Sequence, residues 1–165
     1  MNSEIKKNKI WYLTLSAWLF WMVPVLGAET PTHFSADTMQ CHKQSKDYVC
    51  TYRGNAKFEQ GNNKLTAPKI TTYQDMKHEI YQVIAEGEPA RYHSENEKKK
   101  VVDANAKIIK FYPPRNFITF THEAQIVENN TTFAGEYLEQ DLTKKTIVSR
   151  PNDKVQTTIL IPPQS

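Results

Sequence analysis

The sequence predicts an all-β protein, built as an antiparallel sandwich, jelly roll or barrel. After residue 28, no stretch repeats its apolar residues at the helical period of about 3.6 over three turns. Apolar, β-branched and aromatic residues instead alternate with polar ones, as in 48–52, 81–85 and 155–161. Clusters of turn-forming residues separate such runs at intervals of roughly ten residues, a spacing typical of all-β domains. These clusters lie at 60–63, 94–97, 112–116, 128–130 and 151–153. Helix is confined to at most one short turn near 37–41.

The N-terminal segment is typical of an export signal. Residues 1–9 carry three lysines and one glutamate, and the 17 residues of 10–26 form an uncharged, mostly apolar run. Gly27 and Ala28 then supply the small residues of a cleavage site. The sequence therefore predicts a signal peptide over 1–28, cleaved after Ala28 or, alternatively, after Gly27. An uncleaved membrane anchor is the other interpretation, because 17 residues approach the minimum length of a span. Pro24 near the end of the run favours cleavage.

Residues 29–165 are predicted to form a single domain. All three tryptophans lie within 1–28, which separates the two parts of the chain by composition. Apolar residues make up 39% of the chain, below the usual share of about 45–50%, so the core should be thin. Removing 1–28 takes away three lysines and one glutamate, which lowers the formal net charge from +3 to +1. A domain so close to neutral is not expected to bind nucleic acid.

The two cysteines are predicted to face each other in a hairpin. Eight residues lie between Cys41 and Cys50, and the polar segment 42–47 is typical of a turn. Opposite positions in a hairpin bring the two Cβ atoms within bonding reach, and disulfides persist in exported proteins. A structural disulfide is therefore favoured over two free thiols. The spacing is not C-x-x-C, so it gives little support to a redox or zinc site.

The chain also contains an internal repeat. Ala56, Ala90 and Ala124 are spaced 34 residues apart, and each is followed by an Ala-x-x-apolar element, at 67–70, 106–109 and 134–137. The spacing predicts stacked units, each made of a strand, a turn and a second strand with a bulge. Pro68 supports the bulge, because proline within a sheet is confined to edges and bulges.

Stacked units bury one apolar strip and leave an open strand edge at each end of the stack. The last predicted strand, 155–161, is long and uncharged. It is either an interior strand followed by a tail or an edge to which another chain adds a strand. The inward apolar side chains likewise form either a packed core or, if the two sheets part, a groove for acyl chains.

No motif indicates catalysis or metal binding. The five histidines show neither H-x-x-x-H nor H-E-x-x-H spacing. The chain has no G-x-S-x-G, P-loop or G-x-G-x-x-G motif. Acidic residues are scattered, with no pair placed for acid–base work. We therefore expect no catalytic residue, no metal and no cofactor, and a protein that is not an enzyme.

The order of these elements resembles the OstA-like family of periplasmic lipopolysaccharide-transport proteins. Residues 32–37 resemble the opening P-I-x-I-x-S/A-D of that family, and the chain closes on the pattern V-x-T-x-h-h-h-P, where h is apolar, at 155–162. Between them, 54–58, 67–70, 87–92 and 117–124 follow in the family's order. The resemblance spans about 30–163. The chain departs from the family pattern at Cys41, Cys50, Pro113, Pro114, Ala134 and Gly135.

The resemblance implies an OstA-like β-jelly roll whose stacked antiparallel strands open into a V-shaped apolar groove. In this family the groove carries the acyl chains of lipopolysaccharide from the inner to the outer membrane, and the jelly rolls dock edge to edge. The implied partners are LptC at the N-terminal edge, and the LptD N-terminal domain or another family member at the C-terminal edge. The implied location is the periplasm.

The residues of this site are predicted in two groups. Family groove positions fall on Thr32, Phe34, Tyr92 and Phe111, and the alternation of the strands adds Phe58, Phe120 and Ile126. The C-terminal docking edge is predicted to consist of Val155, Thr157, Ile159 and Ile161. Three functions stay open: a lipopolysaccharide conduit, a membrane-anchored LptC-like relative that keeps 10–26, and a structural or adaptor domain with a closed core.

Overall fold

The structure, a computed structural model that describes residues 30–96, 99–150 and 156–161, confirms the all-β prediction. Ten strands make up most of the described chain. They are β1 (Thr32–Ser35), β2 (Thr38–Gln44), β3 (Asp47–Gln60), β4 (Asn63–Gln74), β5 (Ile80–Glu95), β6 (Val101–Tyr112), β7 (Phe117–Glu128), β8 (Thr131–Asp141), β9 (Thr146–Ser149) and β10 (Thr158–Leu160). One 3₁₀ turn, Pro113–Arg115, joins β6 to β7. The segment near 37–41, where the sequence allowed a helical turn, belongs mostly to β2.

The strands form one antiparallel sheet in which most sequence neighbours pair. The six strands from β3 to β8 follow each other in order across the sheet. β1 and β2 both pair with β3, along different parts of it. At the other end, β9 and β10 both pair with β8. Each end of the sheet is therefore covered by two short strands rather than by one long one.

The long strands bend near their middle. The ladder registers shift between Arg53 and Ala56 of β3, Thr66 and Lys69 of β4, Glu86 and Ala90 of β5, Asn105 and Ile108 of β6, and Thr121 and Ala124 of β7. Such shifts are β-bulges or related irregularities of the ladder, and a β-bulge bends a strand and increases its twist. The shift beside Pro68 confirms the bulge predicted there. Because the bulges lie side by side, the whole sheet turns along one line.

This line divides the sheet into two layers. The first layer contains β2, β9 and residues 47–53, 69–74, 80–86, 108–112, 117–121 and 137–141. The second layer contains β1, β10 and residues 56–60, 63–67, 90–95, 101–106, 124–128 and 131–135. Every strand from β3 to β8 thus contributes one half to each layer.

Ring contacts show that the layers face each other. Phe34 pairs with Phe58 in the ladder between β1 and β3, and Tyr52 lies six residues before Phe58 on β3, about 20 Å away in a straight strand. The rings of Phe34 and Tyr52 nevertheless stack with centroids 4.7 Å apart. Phe58 and Phe111 lie three strands apart, about 14 Å in a flat sheet, yet their centroids are 5.8 Å apart. The sheet is therefore folded over onto its own inward face.

The core lies between the layers. Its largest fully buried side chains are Tyr92, Phe58, Phe111, Phe120, Leu65, Ile70, Ile109, Ile118, Ile126, Leu138 and Val83. These positions follow the alternation of each strand, because successive side chains of a strand point to opposite faces.

Small residues next to the bends form the internal repeat. Ala56 pairs with Ala67, Ala90 with Ala106, and Ala124 with Gly135. The first two pairs confirm the predicted repeat units. The third differs from the prediction, since the small residue is Gly135 rather than Ala134, and the buried apolar residue three positions later is Leu138. A shift of one residue in a strand moves a side chain to the other face, so Ala134 lies outside the repeat.

Candidate functional site

The inward face between the two layers collects most of the predicted groove residues. Five of the seven are at most 2% exposed: Phe58, Tyr92, Phe111, Phe120 and Ile126. Besides the contact of Phe58 with Phe111, the rings of Tyr92 and Phe120 meet across the layers with centroids 5.9 Å apart. Together these side chains form a continuous apolar strip, which here is packed as a core.

The other two predicted groove residues lie in β1, at the N-terminal end of the strip. Phe34 is half-buried, stacks on Tyr52 and lies 5.1 Å from Phe58 between ring centroids. Thr32 accepts a hydrogen bond from the side-chain amide of Gln60 at 3.1 Å. The aromatic strip therefore reaches the edge of the sheet, and Phe34 is its outermost ring there.

Tyr92 links the buried strip to the polar turns. Its hydroxyl donates a hydrogen bond to Oδ1 of Asn63 at 2.7 Å, beside the turn between β3 and β4. Burial raises the pKa of Tyr92 to about 12, and a side-chain hydrogen bond with Ser94 opposes that shift. The phenol is thus neutral at physiological pH and remains a hydrogen-bond donor.

The N-terminal edge of the sheet is interrupted between β1 and β2. At the break, the amide of Asp37 donates to the carbonyl of Gly54 at 2.9 Å, and the side chain of Asn55 donates to Oδ2 of Asp37 at 3.1 Å. Beyond the break, a disulfide joins Cys41 to Cys50 across the β2–β3 hairpin, with Cα atoms 4.1 Å apart. All seven residues of β2 are exposed. This part of the edge is therefore a disulfide-linked hairpin that faces solvent.

The C-terminal edge carries exposed apolar side chains. In β10, Ile159 pairs with Phe133 of β8, which places Ile159 on the inward face of the second layer. Ile159 is 56% exposed and the adjoining Ile161 is 67% exposed. The hydroxyls of Thr157 and Ser149 are hydrogen-bonded to each other. Three of the four predicted docking residues thus lie at this edge, and the fourth, Val155, is outside the described residues, as is the predicted signal 1–28.

A cleft of about 350 Å³ opens where the turns of the two layers meet, opposite the line of bends. The first layer contributes the turn around Asn116, the turn from Leu142 to Lys145, and Gln140 of β8. The second layer contributes residues beside three hairpin turns: Asn62, Asn63, Tyr92, Ser94, Asn96, Lys100, Val102 and Glu128. We call this opening the mouth cleft. Because Tyr92 lines it, the mouth cleft leads into the apolar strip.

Gln140 is a buried polar residue in an apolar row. It is 3% exposed, and its Oε1 atom has no hydrogen-bond partner among the residues that the structure describes. Sequence reasoning missed Gln140, although one signal was present. Gln140 lies two residues after the inward Leu138, where the alternation of β8 would place another apolar side chain.

The described part of the chain offers no metal centre and no membrane helix. Among residues 30–96, 99–150 and 156–161, no group of three or more histidine, cysteine, aspartate or glutamate side chains could hold a metal ion. Within the same ranges, no helix is long and apolar enough to cross a membrane.

Two relatives of this chain are named as lipopolysaccharide export system proteins. The chain is 30% identical to the lipopolysaccharide export system protein LptH of Pseudomonas aeruginosa over 122 residues, which cover 73% of this chain and 68% of LptH. It is 28% identical to the lipopolysaccharide export system protein LptA of Haemophilus influenzae over 119 residues, which cover 70% of this chain and 69% of that one.

A solved structure matches the fold. The crystal structure of P. aeruginosa LptH, described as the LptA-homologous periplasmic component of a lipopolysaccharide transport device, superposes with a TM-score of 0.70. The match covers 81% of this chain and 96% of LptH, at 24% identity. It confirms the predicted jelly-roll fold of the LptA type.

A family model fits the chain as well. Residues 33–146 match the model described as "LptA/(LptD N-terminal domain) LPS transport protein". A family of transport proteins agrees with the expectation that the chain is not an enzyme. Because the match spans more than half of the chain and the fold agrees with it, the chain belongs to the family of LptA and LptD N-terminal-domain LPS transport proteins.

Proposed function

We propose that this protein carries lipopolysaccharide across the periplasm, with the acyl chains held between its two layers. The observation that carries the proposal is the apolar strip, which runs from Phe34 at one edge past Tyr92 to Ile126 and the exposed Ile159 at the other. The membership of the chain in an LPS transport family, with relatives named as lipopolysaccharide export proteins, supports the same function.

Acyl chains enter this space only if the layers separate. The layers are connected by backbone along the bends, whereas along the mouth cleft only turns meet. Separation on the mouth side therefore needs no change in strand pairing. It exposes ring pairs such as Phe58–Phe111, and acyl chains would restore the lost burial at about 0.8 kcal/mol per CH₂ group. Such binding is repeated along the strip and individually weak, as transport requires.

The edges are the proposed docking surfaces. LptC would pair at the N-terminal edge, with β1 and β2, and the LptD N-terminal domain or another LptA-type chain would pair at the C-terminal edge, with β10. Support comes from the exposed Ile159 and Ile161, which continue the apolar strip to the end of the sheet. An added strand there would use the unpaired backbone groups of an edge strand.

The proposed location is the periplasm, reached through cleavage of the predicted signal 1–28. The description of P. aeruginosa LptH as a periplasmic component supports this location. Amino-terminal sequencing of the protein recovered from the soluble periplasmic fraction tests it. A chain that starts at residue 28 or 29 is expected. A chain that keeps 10–26 and sediments with membranes would instead support an anchored, LptC-like protein.

Site-specific photo-crosslinking tests the groove. A photoreactive residue is placed in cells at Phe34, Tyr92 or Phe111, and a control probe replaces Lys57 on the outer face of the second layer. Crosslinks to lipopolysaccharide are expected at the three inward positions and not at Lys57. Phe34 is the decisive position, because its half-buried place at the edge tolerates a larger side chain.

A closed-core adaptor is the second candidate, favoured by the burial of Phe58, Phe111 and Phe120 to 1% exposure or less. The crosslinking experiment separates the two candidates. If none of the inward probes captures lipopolysaccharide while the Lys57 probe does, the conduit is excluded and the adaptor is supported.

A further inference from the structure

We propose that the mouth cleft binds the polar root of an acylated, phosphorylated sugar. In this site Gln140 accepts a hydrogen bond from a hydroxyl or amide of the ligand, and Lys100 and Lys145 hold its anionic group. The inference rests on the proposed function and deepens it, since it assigns the headgroup end of the ligand to named residues. It begins from Gln140, a buried side chain that lines the mouth cleft and whose Oε1 atom has no partner among the described residues.

Gln140 occupies an inward position where an apolar residue is expected. A buried acceptor without a partner destabilises a protein, whereas an apolar residue of similar shape at this inward position would not. Its neighbours along the inward face of the first layer, Leu138 and Ile118, are fully buried and apolar. A glutamine at this position is explained if a bound ligand donates a hydrogen bond to its Oε1 atom. Hydroxyl groups and amide N–H groups near the root of an acyl chain are donors of this kind.

The charges at the rim of the mouth cleft favour an anionic group that lies closer to solvent than Gln140 does. Lys100 belongs to the turn between β5 and β6 in the second layer, and Lys145 to the turn between β8 and β9 in the first. Both are exposed. Among the described residues that line the cleft, Glu128 is the single acid. An anionic group between the two lysines would bridge the layers across the opening. A phosphate suits this position, since lysine binds phosphate as a point charge.

The geometry orders these contacts along one ligand. Tyr92 lines the mouth cleft with its hydroxyl side and contacts Phe120 inside the layers with its ring. A chain that enters past Tyr92 therefore lies in the apolar strip, while its root remains beside Gln140 and its charge remains at the rim. An acylated phosphosugar presents its groups in this order: apolar chains, donor groups at their root, and an anion outside.

The experiment measures binding of two probes to the exported chain: phosphorylated lipid A and the same lipid A with its phosphates removed. Gln140→Leu is expected to weaken binding of both probes by roughly 3- to 10-fold, because both lose one hydrogen bond. Its urea midpoint should equal or exceed that of the wild type, because the unsatisfied acceptor is gone. Weaker binding together with a midpoint that does not fall distinguishes a ligand contact from a structural role.

Lys100→Gln and Lys145→Gln test the anionic end. Each is expected to weaken binding of the phosphorylated probe by roughly 2- to 5-fold, as for a charge contact at a partly exposed site. Binding of the dephosphorylated probe should be unchanged. The control Lys57→Gln, with the same change of charge on the outer face, should change neither. Both lysines are exposed, so these variants keep the test decisive even if Gln140→Leu fails to fold.

Two results would overturn the inference. One is a Gln140→Leu protein that folds and binds both probes as the wild type does, which would make Gln140 a core residue only. The other is a pair of lysine variants that bind both probes as tightly as the Lys57→Gln control does. If the wild type itself bound neither probe, the proposed function would fail as well, so the two failures are distinguishable.

Discussion

Gly54 allows β3 to bend at the break between β1 and β2. Its φ of +74° lies in the left-handed region, which side chains disfavour. A Cβ atom at this position would clash with Oδ2 of Asp37. The same carboxylate accepts the hydrogen bond from Asn55 that closes the bend. Gly54 thus permits the bend of β3 and leaves room for the Asp37 carboxylate beside it.

We expect Gly54→Ala to lower the free energy of unfolding by about 1–3 kcal/mol, because it combines left-handed strain with the contact against Asp37. Urea unfolding followed by circular dichroism measures the loss. Gly135→Ala is the matched control, since its nearest neighbour would be Thr157 at 3.5 Å, an ordinary contact. Equal losses for the two variants would contradict the assignment.

Tyr92 makes stability depend on pH at the alkaline end. The pKa of a tyrosine phenol is ordinarily about 10, and burial raises that of Tyr92 to about 12 in the folded protein. Between these values the unfolded chain loses its proton before the folded one, so the free energy of unfolding falls as pH rises. Such a difference in pKa between the unfolded and folded chain changes the free energy of unfolding by about 2–3 kcal/mol once the pH exceeds both values.

Tyr92→Phe should therefore flatten the decline in stability between about pH 10 and 12. At neutral pH the variant should lose about 1 kcal/mol, because the hydrogen bond to Asn63 is absent. Urea midpoints measured across the alkaline range compare the two proteins. A slope as steep as in the wild type would show that other tyrosines cause the decline.

At the scale of elements, the end strands differ from the long ones. β3 to β8 each span both layers, whereas β1, β2, β9 and β10 cover one layer only. β2 is exposed along its whole length and depends on the hairpin and the disulfide for its place. β10 has three residues, all of them exposed. The ends of the sheet are therefore the parts most able to exchange a neighbouring strand.

Replacing both Cys41 and Cys50 by serine should lower the free energy of unfolding by about 2–3 kcal/mol, since the disulfide closes a short loop in the unfolded chain. We expect hydrogen exchange of β2 amides to rise, with little change in β5 and β6. The wild type treated with reductant provides the comparison. Unchanged exchange in β2 would mean that the hairpin holds without its disulfide.

The docking proposal predicts a selective effect of Thr158→Pro. Proline removes a backbone donor from β10 and should weaken pairing with another chain. The monomer should keep its urea midpoint, because β10 buries no side chain. Sedimentation for self-association and capture of the LptD N-terminal domain measure pairing, and Thr158→Ala keeps the donor as a control. Unchanged self-association together with unchanged capture would count against β10 as the docking edge.

For the molecule as a whole, the two layers share one core and are joined along one side. Ring pairs such as Tyr92–Phe120 hold the layers together, and the mouth cleft runs along the other side. A ligand that takes the place of these contacts binds the folded protein and not the unfolded chain. Such binding stabilises the fold by mass action.

Saturating phosphorylated lipid A should therefore raise the free energy of unfolding, by about 2.7 kcal/mol at a hundred times its Kd. Thermal unfolding with and without lipid measures the shift, and a soluble sugar phosphate without acyl chains serves as the control. A protein whose Tm is unchanged by the lipid, at concentrations where crosslinking succeeds in cells, would contradict binding between the layers.

Most of the fold was predictable from local pattern. Alternation placed Phe58, Phe111 and Phe120 on inward faces, because each strand has only two faces and one of them must be apolar. Pro68 marked a bend for a similarly local reason. The pairing of Ala124 was predicted one residue out of place, since alternation in β8 is weak and the ladder with β7 decides the register.

The sequence by itself determined the strands, their inward faces, the hairpin of Cys41 and Cys50, and the family. Each of these depends on the spacing of residues that lie close together along the chain. Only the tertiary structure decided that the bends align into one line, so that each long strand serves two layers. It alone brought Gln140, Lys100 and Lys145 to one cleft. Lys100 lies 40 residues before Gln140 along the chain and belongs to the other layer, and the two layers meet only after the sheet has folded onto itself.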